Sequence, residues 1–441
     1  MNEAVWDDWN DVAVRARLAG ATTRRISLLQ RVAMLGVVGS FVLLPVQGVD
    51  LPFNMAPVDL WNVISLPIVW AYLSGTRQRL RVPYFAAMWL ILLGSLVSMF
   101  WARDLPTASL VILKELYIYA WFATVALFLA SANARDLRVV FVAWTLAVLL
   151  HALLIIGEFL SHDLWQLLAA QLGHFGKIDV DRPPGLFDNA NGAAFFQLMG
   201  FVPVVLLCAS SRLALILGTV LLLSIVGTGS LGVTFGLLSG IVVATLGSLF
   251  VARRRHSVIR TLITLLTIGG LLYGSYALVV QYAPGYDELL AHYFYGRAES
   301  SASNHLGLWQ FGATTLSSGR WFWGVGPGNA IDSVSGKTLH NDFVAFALES
   351  GLLGATGFLL LCVEATYKAA RLFQSRRSTA RPLAAAIFLL AMIAVLVDSQ
   401  FHQVFHERSL WIVLATQEAI LLHAMAAKDR AVRAAPRLTP T

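Results

Sequence analysis

The chain has 441 residues, of which 57% are hydrophobic and 13% charged, with a formal net charge of +7. Soluble domains carry about 25% charged residues, so a soluble globular protein with one apolar helix is excluded, and a length-based domain count does not apply. The basic balance does not point to nucleic acid, because in a membrane protein the placement of charge matters more than its sum.

Residues 1–28 are polar and charged, and they read as a cytoplasmic segment, a short surface helix and not a cleaved leader. Apolar runs near the ~20 residues needed to cross a bilayer then recur to residue 427. Twelve spans are expected: Leu29–Val49, Val58–Gly75, Pro83–Trp101, Ala108–Ser131, Val139–Leu160, Asn191–Ala209, Leu213–Gly229, Val233–Val251, Ile259–Tyr282, Asp342–Val363, Leu383–Gln400 and Leu410–Ala426. Residues 428–441 form a second polar tail. Helices are expected because each backbone polar group in lipid must be satisfied within its own segment, and the runs are too continuously apolar for barrel strands. The chain thus reads as an all-α integral membrane protein, with residues 29–427 as one polytopic domain. Cys208 and Cys362 fall inside apolar runs, so neither looks like a disulfide or a metal ligand.

With twelve spans, 23 basic residues fall on one side, among them Arg77, Arg79, Arg81 and Arg253–Arg255. Only seven fall on the other: Arg103, Lys177, Arg182, Arg297, Arg320, Lys337 and Arg408. The positive-inside rule makes the first side cytoplasmic, with both termini. Both long loops, 161–190 and 283–341, then lie outside, where long ordered loops tend to be functional. No half of the chain repeats the other, which counts against the repeat-built transporters.

Chemistry is therefore sought on the outer face. Asp181-Arg182-Pro183-Pro184-Gly185-Leu186-Phe187-Asp188-Asn189-Ala190-Asn191 is stiffened by two prolines and turned by a glycine. It reads either as a rigid loop aiming a guanidinium at a phosphate or as a capped loop with a solvated arginine. The second long loop carries Arg297, His305, Trp309, Arg320 and Gly324-Val325-Gly326-Pro327-Gly328-Asn329, and ends at His340-Asn341-Asp342. Trp309, Trp321 and Trp323 suit a membrane-surface belt. His340 precedes span ten, and a neutral imidazole there can take a proton from a hydroxyl nucleophile; the bland alternative is a histidine that caps the helix. Asp398 lies near the outer end of span eleven, where an intramembrane acid is a functional candidate or orients a histidine or arginine. His402 and His406 have the i, i+4 spacing of a metal site on a helix, but Glu407 falls on the wrong face for a third ligand, so no metal site is expected.

Two of these stretches carry a family pattern. Gly324-Val-Gly-Pro-Gly-Asn329, followed by His340-Asn341 and an apolar helix with Glu349-Ser-Gly351-Leu-Leu-Gly354, resembles the signature of the O-antigen ligase and polymerase superfamily. Arg182-Pro-Pro-Gly-Leu-Phe-Asp-Asn-Ala-Asn191 is similar to that family's upstream element, and the layout of a dozen spans with a long outer loop before the His-Asn helix also agrees. The resemblance implies a glycosyltransferase C-like fold in the bacterial inner membrane and a periplasmic active site. Its donor is a glycan on undecaprenyl pyrophosphate, and it requires no cofactor. His340 matches the catalytic base and Arg182 the arginine that neutralises pyrophosphate. Arg297, Arg320, Arg408, His305 and Asn341 are candidate substrate contacts, with Asp398, His402, His406 and Glu349 in support. The family's Ser-Arg-Gly reads Ser230-Leu231-Gly232 here, and Asn304-His305 stand where an arginine often precedes the loop tryptophan, so phosphate contacts must come from elsewhere.

The expected function is a polymerase joining lipid-linked repeat units of an exopolysaccharide or O-antigen. The alternative is a ligase passing finished glycan to lipid A-core or another acceptor. A flippase fits less well, because the spans hold almost no cations. Expected partners are the lipid-linked glycan, the bilayer, and a flippase and chain-length regulator of the same pathway.

Overall fold

The computed structural model describes residues 28–49, 55–75, 82–172, 182–208, 211–250, 297–330, 339–374 and 382–434. Residues 1–27, the expected span Ile259–Tyr282, the Arg253–Arg255 cluster, Lys177 and Lys337 lie outside them. The described chain is all-helical. Its helices are α1 Leu28–Leu43, α2 Pro57–Ser74, α3 Phe85–Ser98, α4 Leu105–Ser131, α5 Ala134–Leu160, α6 His162–Leu172, α7 Ala190–Leu207, α8 Ser211–Thr228, α9 Leu231–Phe250, α10 Arg297–Thr315, α11 Asp342–Glu349, α12 Gly351–Gln374, α13 Pro382–Asp398 and α14 Arg408–Ala434.

Local chemistry sets several of these starts. Asn133, Asn189 and Asn341 each turn a side-chain oxygen onto a backbone N–H three residues on, which caps α5, α7 and α11. Pro57 opens α2, where a missing N–H costs nothing. The run expected as one span from Asp342 is instead two helices, broken at Ser350–Gly351, where Gly351 takes φ 65°. The first long loop contains α6, and the second contains α10 followed by a wider turn at Leu316–Arg320.

Helices α4, α5, α7 and α12 are long and apolar enough to cross a bilayer, and five shorter apolar stretches accompany them: Leu28–Leu43, Phe85–Trp101, Arg212–Thr228, Leu231–Gly247 and Ala386–Asp398. The exposed faces carry the same character. On α5, Leu146, Leu150 and Leu153 form an exposed stripe while Trp144, Val148, Ala152 and Ile155 on the other face are buried. Water would not tolerate so much exposed leucine, whereas lipid does; this is a membrane protein.

Without a hydrophobic force between helices in lipid, close packing must come from small residues. On α3 a Cβ at Gly94 would stand 2.5 Å from Gly354 N of α12, and on α12 a Cβ at Gly357 would stand 2.7 Å from Ala87 O. Gly236 and Gly240 of α9 lie as tightly against the backbone of Ala394 and Leu390 on α13.

The chain divides into two compact units. The first draws on Met1–Pro83, Tyr117–Ser224 and Arg408–Thr441, and its core includes Trp144 on Phe41 and Trp411 on Phe122. The second draws on Tyr84–Leu116 and Ile225–Glu407, and it holds α9 against α13, α3 against α12, and α10 against α11.

Candidate active site

His340 belongs to the second unit and sits half-buried at a bend directly ahead of α11. Every neighbour that follows it is fixed. Asn341 Oδ1 accepts from Val344 N at 3.1 Å, and its amide donates to Gln400 Oε1 at 3.2 Å. Asp342 N donates to Ser399 O at 2.9 Å, and the buried Asp342 carboxylate accepts from Val404 N at 2.9 Å and Phe405 N at 3.1 Å. The start of α11 and the loop 399–405 are thus clamped together by four hydrogen bonds, each with a net worth of about 1 kcal/mol.

The glycine-rich stretch is locked to the other end of α11. Gly324, Gly326 and Gly328 all have positive φ, of 85°, 98° and 69°. That path brings Val325 N to Leu348 O at 2.7 Å and Gly326 N to Glu349 O at 3.2 Å. Glu349 Oε2 accepts from Gly328 N at 2.9 Å. Asn329 closes the stretch by accepting from Asp104 N at 2.9 Å and donating to Pro327 O at 3.0 Å. Asp104 in turn accepts from the Thr107 hydroxyl and N–H, which hold its carboxyl below the usual range. Beneath this frame Leu308 of α10, Ala330, Leu339, Ala345 and Leu348 form one buried apolar cluster. The two motif stretches are therefore one piece of architecture: the glycines supply the path, and Glu349 and the α11 carbonyls hold it.

The remaining candidates in this unit fall into three groups. Arg320 is exposed at the end of the wide turn, next to exposed Trp321, Phe322 and Trp323; Trp323 stacks on Trp101 with ring centres 5.4 Å apart. Arg297 opens α10 and His305 lies within it, and their side chains lie outside the described residues. Asp398 is fully buried at the end of α13, and its Oδ1 is 2.6 Å from His402 Nδ1. His402 stands on a bend and His406 on a turn, neither within a helix, so the i, i+4 geometry of a helix does not apply to them. His406 packs against the Phe405 ring at 5.3 Å.

Arg182 and Arg408 belong to the first unit. Arg182 is buried and donates from Nη1 to Asn191 Oδ1 at 2.8 Å. Its loop is seated on α5. Gly185 N donates to Glu158 Oε2 at 2.9 Å, and Leu186 N donates to His151 Nε2 at 3.1 Å. Gly185 has φ 61°, and a Cβ there would meet His151 Nε2 at 2.4 Å, so both the turn and the close approach require glycine. Gln47 and Gly48 donate to Leu186 O at 2.9 and 2.7 Å. Arg408 is differently employed: its guanidinium grips Asp59 with both arms, Nε to Oδ1 at 2.8 Å and Nη2 to Oδ2. Tyr117 also donates to Asp59 Oδ1 at 2.8 Å. Arg408, a candidate substrate contact by sequence, has its fork closed on the buried Asp59 carboxylate.

His151, Glu158 and Asp59 were not singled out from the sequence. The signal was present for two of them: His151 and Glu158 are seven residues apart, two turns on one face of an apolar span, and ionisable side chains there are expensive unless they serve something. What they serve, the seating of the arginine loop, lies in a different stretch of sequence.

No known family model matches the chain, and no curated protein matches it.

Proposed function

We propose that the chain is a glycan transferase of the bacterial inner membrane that joins undecaprenyl-pyrophosphate-linked repeat units into a polysaccharide, with twelve spans in a glycosyltransferase C-like arrangement and its chemistry on the periplasmic face. One observation carries the reading: the backbone that follows His340 is fixed. Its own helix is capped by Asn341 and clamped through Asp342, and the glycine stretch is locked onto the far end of that helix by Glu349. A histidine held that way is preorganised, and a group that moves protons must be held near its working geometry.

In the proposed step His340 takes the proton of an acceptor sugar hydroxyl. The hydroxyl oxygen bonds the anomeric carbon of the donor, the bond from that carbon to the pyrophosphate oxygen breaks, and the electron pair leaves with the pyrophosphate. Guanidinium groups stabilise that charge as it develops. Arg320 is the described candidate in the same unit as His340, with Arg297 and His305 on α10 as further contacts. Arg408 is left out because Asp59 already holds it.

The test is reconstitution of the pure protein with a lipid-linked repeat unit. A ladder of longer products without any other acceptor supports polymerisation. Product only after lipid A-core is added makes the protein a ligase. His340→Ala turning over at the unsubstituted rate overturns the mechanism in either case.

A further inference from the structure

One side-chain pair at this site has no part in the step above. Asp398 is fully buried, and its Oδ1 holds His402 Nδ1 at 2.6 Å. Its other oxygen, Oδ2, makes no hydrogen bond to any described residue, and neither does His402 Nε2. A carboxylate on Nδ1 fixes the ring's orientation and tautomer and leaves Nε2 to act. The start of α9 is cut back to admit the pair: a Cβ on Gly232 would stand 2.5 Å from Asp398 Oδ1 and 2.9 Å from His402 Cε1. Beside it, buried Ser230 Oγ is likewise without a described partner. A carboxylate buried to this degree with one oxygen unused is costly as mere packing.

The clamp relates the pair to His340. Asp342, two residues after His340, bonds Ser399, Val404 and Phe405, and Asn341 bonds Gln400. His402 sits on that same short loop, between the bonded residues. The fold therefore delivers both histidines to one clamp.

We propose that His402 is the second acid–base group of the transfer, donating its Nε2 proton to the departing phosphate oxygen, with Asp398 as the residue that positions it. This rests on the glycan-transfer reading. The balance closes: the acceptor hydroxyl proton goes to His340, the electron pair of the broken carbon–oxygen bond goes to the pyrophosphate, and that oxygen receives a proton from His402. His340 then returns one proton to solvent and His402 takes one up. The titratable groups on the elements packed about the loop are Asp398 under the ring, His340 and Asp342 at the start of α11, and His406 and Glu407 on the loop itself; α9 presents Ser230 and Gly232, which carry no charge.

The pair is tested by pH profiles of kcat and KM for the reconstituted protein with a lipid-linked repeat unit. His402→Gln is expected to lower kcat by about 10²- to 10⁴-fold, with KM little changed, and to remove the alkaline limb of the profile. Asp398→Asn keeps the ring without its anionic partner and is expected to lower kcat by less than His402→Gln does, again with KM little changed. Added imidazole is expected to restore part of the activity of His402→Ala, which a folding defect would not allow. An unchanged kcat and profile in His402→Gln, or a kcat loss that imidazole does not relieve and that leaves the limb in place, overturns the proposal alone. Absence of product from the unsubstituted protein overturns the transfer reading, and the proposal with it.

Discussion

Arg182 and Arg408 carry the same guanidinium and have opposite surroundings. Arg408 meets Asp59, a full counter-charge, through a two-armed contact in a buried site. Arg182 donates to the neutral amide oxygen of Asn191. Removing one partner of a buried ion pair leaves the other uncompensated, at a cost of about 3–5 kcal/mol. Arg408→Ala is therefore expected to lower the melting temperature in detergent sharply, or to stop folding. Arg320→Ala is expected to leave that temperature unchanged, since its side chain is exposed, and to raise KM for the lipid-linked donor. A melting loss for Arg320→Ala equal to that of Arg408→Ala would reverse the division of roles made here. Neither Asp59 nor its pairing was legible: Asp59 and Arg408 lie 349 positions apart, and nothing local marks a partner at that separation.

At the scale of elements, α11 is the part whose sequence was most misleading and most informative. The residues from Asp342 to Val363 look like one continuous apolar run, yet the helix breaks at Ser350–Gly351 because the glycine stretch needs the carbonyl of Glu349 and space beside Gly351, where a Cβ would meet Phe322 O at 2.5 Å. Gly351→Ala is expected to destabilise through both the collision and the left-handed backbone, and to lower turnover by loosening the 324–329 path. Asn341→Ala removes the cap, at about 1 kcal/mol, and also the bond to Gln400. Its turnover is expected to fall by more than its stability, whereas Asn341→Asp, which keeps the cap, is expected to retain more of both. Equal losses in the two variants would show that the cap is not what holds His340. A helix cap acts within three residues of its own position, so it is a local feature of the sequence.

For the whole molecule, the open quantity is orientation. With the twelve proposed spans, 23 basic residues would fall on one side and seven on the other. Arg135 and Arg320 are exposed members of the two sets. In a chain stripped of Cys208 and Cys362, a membrane-impermeant maleimide added from outside is expected to label Arg320→Cys and not Arg135→Cys. Labelling of both, or of Arg135→Cys alone, would put the candidate site on the wrong face for a periplasmic lipid-linked donor.

Hydropathy and the capping residues by themselves determined that the chain is helical and where most helices begin, because both depend on residues within a turn or two of one another and on the bilayer as solvent. Tertiary structure alone decided that the glycine stretch and Glu349 form one lock, that His151 and Glu158 seat the Arg182 loop, that Asp59 takes Arg408, and that Asp398 aims His402. Each of these is a polar group satisfied from a distant stretch of chain. In an apolar surrounding such a group must find a partner somewhere, but only the packing of the helices determines which one it finds.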